Sequence, residues 1–278
     1  VFIFLCTERD SCVIIERKVT RKVRCEMDKE RKKATMEKLR NSEAVYVIMS
    51  NCTRMPYVVC DSETYDDEVL VYYTEEDAKK TAEELRAENI PVQIAQVDKK
   101  QFLAFYNSLF PTGVNCIKVG KGTPDEIAIQ LTELIIRPSD DMLPEGKVRI
   151  ENPEFHLTAL YFMQEFRRQA NPQVTEEMKE MQEEMMTHYK EGRYIVAYQE
   201  EGEGKEMMLL KQKDGQAFQP LFTDFLEFQK FQQFHGGKMK TAAVEAGKIP
   251  DIMMPGAAGV TVNPFGVNLQ LKIERKKA

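Results

Sequence analysis

The chain repeats its own order of elements, and that repetition constrains its fold more than any single motif does. Val45 and Tyr194 sit in matching apolar runs 149 residues apart, and Thr74 and Thr223, each heading an amphipathic segment, are separated by the same 149. In the first copy, the charged helical stretch MDKERKKATMEKLR leads into the β-branched and aromatic run AVYVIMS. PYVVC, an acidic loop and VLVYY follow as further strands. Thr74 then has the character of a helix N-cap, with Asp77 three residues on and an acidic first turn that suits the helix dipole. Beyond that helix come the strand VQIAQV, a helix over KKQFLAFYNSL and the strand GVNCIKV.

The second copy runs in the same order. TEEMKEMQEEMMTHYKEG repeats the leading helix, RYIVAYQ, KEMMLLKQ and QPLF the three strands, and Thr223 opens TDFLEFQKFQQF. KTAAVE, GKIPDIMMP and GVTVNPFGVNLQLKI match the strand, helix and strand that close the first copy. The expected class is α+β, with two related units that are each a small mixed sheet with flanking helices. Residues 27–137 form the first unit and 172–278 the second. A linker and helix over 138–171 carry Pro138, Pro144, Gly146 and Pro153, with Leu157, Leu160, Tyr161 and Phe166 directed to a core. Residues 1–26 fall outside the repeat and read as a leader preceding the first Met, Met27.

Composition narrows the function classes. With 42% hydrophobic and 30% charged residues among 278, the chain is that of an ordinary folded protein. No apolar run approaches a membrane span. The formal charge is −6, and the one basic concentration, within residues 1–44, carries +4 and lacks the aromatics that stack on bases. A nucleic-acid partner and a membrane are therefore not expected. Six cysteines without framework spacing and no secretory signal point to a reducing, cytoplasmic setting.

QPLFTDFLEFQKF and PGAAGVTVNPFG carry a resemblance to a known family. The pattern of apolar strand, Pro-Leu-Phe-Thr, amphipathic helix and Gly-Val-x-Val-Asn-Pro, spread from Gly192 to Leu271, resembles the N-terminal domain of the SseB (enhanced serine sensitivity) proteins. The first copy follows it more loosely, with Val71 in place of Pro220 and Cys116 and Ile117 in place of Asn263 and Pro264. The resemblance implies a bacterial α+β domain without a defined biochemical activity, here expected in two copies.

Chemistry-bearing motifs are few. His156, His188 and His235 are too far apart in sequence for a metal box, so neither metal nor cofactor is expected. No G-x-S-x-G elbow offers a nucleophile, and no catalytic residue is assigned. Gly120-Lys121-Gly122-Thr123 and the Pro255–Gly259 stretch lack the context of a phosphate cradle and read as turns. Met178, Met181, Met185, Met186 and Tyr189 form a helical stripe directed to a core. Phe222, Phe225, Phe228, Phe231 and Phe234 are too many for one narrow face, so part of that set fills a core and part leaves a patch. The leading expectation is a non-catalytic protein-binding or scaffolding module with one protein partner. The alternative is a small-ligand sensor or enzyme, with a cleft between the units lined by Thr223, Asn263 and Phe265.

Overall fold

The computed structural model describes residues 27–137, 139, 142–143, 148–201, 204–236 and 239–275. The leader over 1–26, with Cys6, Cys12, Cys25 and the basic residues from Arg17 to Arg24, and the linker residues Pro138, Pro144 and Gly146 lie outside the described residues. The chain divides into two compact units, one up to Glu43 and one from Ala44 onward. The first contains helix α1, residues 27–41, ended by Ser42, whose N–H and Oγ both donate to Lys38 O at 2.9 and 2.8 Å. Those bonds satisfy a carbonyl that has no partner within the helix.

From Ala44 onward the class is α+β. Its first sheet holds β1 (Ala44–Ser50), β2 (Val58–Cys60), β3 (Asp67–Tyr72), β4 (Val92–Asp98), β5 (Cys116–Val119) and β6 (Ile127–Gln130), in the order β4-β1-β3-β5-β6 with β2 also on β3. β1 is antiparallel to both β3 and β4, while β3 and β5 are parallel. That parallel pair needs a long crossover, and helices α2 (Glu75–Ala87) and α3 (Phe102–Leu109) lie within it. Thr74 caps α2 as its sequence position predicts, accepting from Asp77 N–H at 3.2 Å. Ile48, Leu70, Tyr72, Ala78, Ala82 and Val92 are buried together between this sheet and α2. The one-turn α4 (Leu131–Leu134) follows β6.

The same strand order then recurs. β7 (Arg193–Glu201), β8 (Gly204–Met207), β9 (Leu210–Lys211), β10 (Ala217–Leu221), β11 (Lys240–Glu245), β12 (Ala257–Val262) and β13 (Leu269–Leu271) pair as β11-β7-β8 and β13-β12-β10-β9. The two sets join where Ile195 and Phe222 exchange backbone hydrogen bonds of 2.9 and 3.0 Å. β10 and β12 are parallel, as β3 and β5 are, and their crossover carries α7 (Phe225–His235) and the one-turn α8 (Ile249–Ile252). Phe222, Phe228 and Phe231 are buried with Ile195 and Ala197, whereas Phe225 and Phe234 remain 52% and 73% exposed. The phenylalanine set thus divides between core and surface.

Helix α5 (Pro153–Arg168) packs on α6 (Glu176–Glu191), and its side chains reach both the first set of strands, at Val58 and Asp67, and the second, at Tyr194. Met178, Met185 and Tyr189 face inward from α6, and Tyr189, Phe155 and Tyr194 form an aromatic cluster with ring centroids 5.2–5.6 Å apart. The buried belt of α5 is broader than the sequence suggests. Phe155, His156, Ala159, Leu160, Met163 and Gln164 are buried, while Leu157, Tyr161 and Phe166 are only half-buried. A helix whose side chains reach both sets of strands buries polar side chains too, provided each finds partners.

Candidate functional site

Of the three residues expected to line a cleft, two are sealed from solvent. Thr223 and Asn263 have no exposed surface, so they line no cleft, and Phe265 is half-buried against Phe231 and Phe234. Thr223 does not cap α7 either. Asp224, one residue on, is the N-cap, accepting from Glu227 N–H at 3.0 Å. Thr223 ends the preceding extended segment with its side chain turned inward.

Thr223 and Asn263 do meet. Asn263 Oδ1 accepts from Thr223 N–H at 3.0 Å, which fixes the orientation of the amide. Asn263 Nδ2 therefore has two protons to give, one to Thr223 Oγ1 at 2.8 Å and one to His156 Nε2 at 3.4 Å. His156 then carries its proton on Nδ1, 3.2 Å from both Pro111 O and Thr223 Oγ1. The Thr223 hydroxyl donates to Asp224 Oδ2 at 2.6 Å. Burial opposes ionisation of Asp224, but hydrogen bonding with His156 and with the donors Thr223 Oγ1 and Glu227 N–H outweighs it, holding the carboxyl below its usual range.

A threonine, a histidine and an aspartate in contact have the composition of a nucleophile with its base and orienter. The chemistry does not follow. The hydroxyl proton is directed to Asp224 rather than to the imidazole, and His156, Thr223, Asp224 and Asn263 are each at most 2% exposed, so no substrate reaches the oxygen. The network instead joins four segments: Pro111 after α3, His156 on α5, and the two turns around Thr223 and Asn263. Asn152 extends it, accepting from Arg193 N–H at 3.0 Å and donating to Arg193 O and Thr223 O at 2.8 and 2.7 Å.

A groove of about 850 Å³ adjoins this network. Its lining includes Asn107, Pro111 and Arg137, Arg193, Ile195, Phe225 and Leu226, and Thr241–Ala243 of β11. Arg137 is paired with Glu151 and stacks over the Phe110 ring at 5.1 Å. Arg149 also lines it. Phe225 and Leu226, at the first turn of α7, keep half and more than a third of their surface in solvent. Sequence reading singled out Phe225 within the phenylalanine set but missed the arginines, because Arg137, Arg149 and Arg193 come together only through folding. Among the described residues, no group of three or more His, Cys, Asp or Glu side chains is placed to hold a metal ion, and no helix is long and apolar enough to cross a membrane.

No family model matches the chain, and no curated protein matches it. Solved structures similar to it include Tic22 from Plasmodium falciparum, at 14% identity over 81% of this chain and 90% of that one, and Anabaena Tic22, a protein-transport structure, at 13% over 82% and 92%. The TM-score is 0.21 in both cases, too low to relate the folds.

Proposed function

We propose that the chain is a non-catalytic protein-binding module built on two copies of an SseB-like α+β scaffold, and that its partner docks in the groove beside α7. The observation that carries this reading is the placement of Phe225 and Leu226, two large apolar side chains left partly in solvent in the lining of a groove that also holds three arginines. Aromatic anchors beside arginine are the residue types that dominate binding energy at interfaces. The sealing of Thr223 and Asn263 supports a structural rather than catalytic use of the polar residues. The setting proposed for it is a reducing cytoplasm, on the sequence's lack of disulfide-framework spacing.

The test places a photo-crosslinking phenylalanine analogue at position 225 of the whole chain and, as a control, at position 79 on the exposed face of α2. The expected result is one stoichiometric protein crosslinked from 225, absent from 79, and lost from a Leu226→Asp variant that keeps its thermal midpoint. Equal or no crosslinking from the two positions would overturn the reading. Stabilisation by a metabolite that also blocks crosslinking at 225 would replace it with the small-ligand alternative.

A further inference from the structure

β11 has one edge on β7 and is the outer strand of its sheet, with three of its residues lining the groove, and its register determines what its second edge offers. Glu245 lies opposite Arg193, and Ala246 N–H donates to Gly192 O at 3.0 Å. In an antiparallel ladder this makes Val244 and Ala242 the residues whose N–H and C=O point to β7. The N–H and C=O of Thr241 and Ala243 therefore point the opposite way, off the outer edge of the sheet, and both residues also line the groove. Neither has a hydrogen bond there among the described residues.

An edge like this is normally blunted by a proline, a bulge or a charge in mid-strand. From Thr241 to Val244 the sequence is Thr-Ala-Ala-Val, with its two charges, Lys240 and Glu245, only at the ends. Thr241 and Ala243 are exposed and small, so another backbone can approach to hydrogen-bonding distance. The surroundings select what approaches. Among the described residues the groove is lined by three arginines, Arg137, Arg149 and Arg193, and two acids, Glu151, which pairs with Arg137, and Asp224, whose carboxylate is buried in its own network, so the lining carries a small positive excess. A basic groove on a chain of net charge −6 favours acidic side chains, and Ile195, Phe225 and Leu226 offer apolar seats.

We propose that an extended segment of another protein, alternating acidic and apolar residues, adds to β11 as a further strand along Thr241–Ala243. This rests on the protein-binding reading and specifies how the partner is held: main-chain bonds provide affinity, and alternate side chains provide selectivity. A second copy pairing β11 with β11 would bring the same arginines to the same groove, so like charges disfavour it.

Ala243→Pro tests the main-chain bonds directly, because the lost N–H points away from β7 and the β7 ladder stays whole. Fluorescence anisotropy on the whole chain would use a labelled peptide alternating Glu and Val, its Lys-for-Glu counterpart, and a version N-methylated at alternate residues. The expected result is binding of the acidic peptide, weakened about tenfold or more by Ala243→Pro, by Arg193→Glu and by N-methylation, with the basic peptide binding about tenfold or more weaker to the parent chain. Arg193→Glu and the methylated peptide keep the test decisive if the proline variant fails to fold. Absence of binding, equal binding of acidic and basic peptides, indifference to N-methylation, or self-association lost in Ala243→Pro would each overturn the inference. A partner still crosslinked at position 225 but indifferent to Ala243→Pro would overturn strand addition alone, leaving the protein-binding reading standing.

Discussion

Gln164 and Val58 pair as if Gln164 were a strand. The side-chain Oε1 accepts from Val58 N–H at 3.1 Å and Nε2 donates to Val58 O at 3.0 Å, so one buried amide on α5 satisfies both main-chain groups of a residue 106 positions earlier. Asn152, three turns back on the N-terminal side of α5, does the same for Arg193 at the start of β7. The two amides fasten one helix to both sets of strands through backbone, independently of which side chains those strands carry.

Gln164→Leu keeps the shape of the residue and removes both bonds. Two buried main-chain groups then lose their partners, at about 1–3 kcal/mol each. The urea midpoint should fall by an amount corresponding to about 2–5 kcal/mol with the m-value unchanged, and a drop within measurement error would mean that water replaces the amide.

Asn263→Asp should be more damaging than its near-identical shape suggests. The carboxylate cannot donate to Thr223 Oγ1 or His156 Nε2, and it places a second buried acid beside Asp224. The expected loss is about 3 kcal/mol or more at neutral pH, partly recovered on acidification as the new carboxyl takes up a proton. Thermal melts at neutral and mildly acidic pH read both effects.

Asp224 itself gives a pH dependence of opposite sign. Its carboxyl lies below the usual range in the folded chain, so its contribution is complete above the unfolded value of about 3.9 and is lost as pH falls through the lower folded value. Parent stability should therefore decline on acidification below about pH 4, and Asp224→Asn, which can still cap α7, should show a shallower decline. Parallel acid limbs for the two proteins would show that the carboxylate does not contribute.

Gly259→Ala should prevent β12 and β13 from pairing. Gly259 has φ 159°, and a Cβ there would lie 2.0 Å from Leu271 O, a main-chain atom that cannot move without breaking the strand. The expected outcome is insoluble or molten protein, read from near-ultraviolet circular dichroism. A well-folded variant would mean that the C-terminal strand is dispensable.

Thiol labelling should rank the described cysteines. Burial pushes Cys116 up to about 12, with the nearby Glu68 carboxylate adding to the effect, and Cys52 is also buried and raised. Cys60 is exposed. Peptide mapping after brief alkylation at pH 8 should find Cys60 modified, with Cys52 and Cys116 modified only in denaturant.

The repeat was legible because strands and amphipathic helices carry their period in the sequence, and a constant offset is visible without knowing what touches what. The offset misleads where the copies differ in length. The capping residues Thr74 and Asp224 are 150 apart, so the 149 spacing pairs Thr74 with Thr223, which is buried. Further on, Asn263 N–H donates to Leu221 O and Gly120 N–H to Val71 O, and both residues have positive φ, 48° and 62°. Asn263 therefore matches Gly120, 143 residues earlier, and not Cys116. An asparagine that tolerates the left-handed region does in one turn what a glycine does in the other, and then uses its amide to hold Thr223 and His156. No linear pattern announces that network or the arginine-lined groove, since their members are spread along the chain from Asn107 to Asn263.

Arg167, beside Gln164 on the same helix, gives its guanidinium protons to Cys52 O, Val267 O and Asn268 O at 2.6, 2.9 and 2.7 Å. During synthesis, the last two of those carbonyls leave the ribosome long after the arginine itself. Until they arrive, a charged group destined for the interior has only the hairpin turn at Cys52 to bind. A nascent chain halted before Val267 should consequently keep this corner open to water, because two of the three carbonyls that close it have yet to be made.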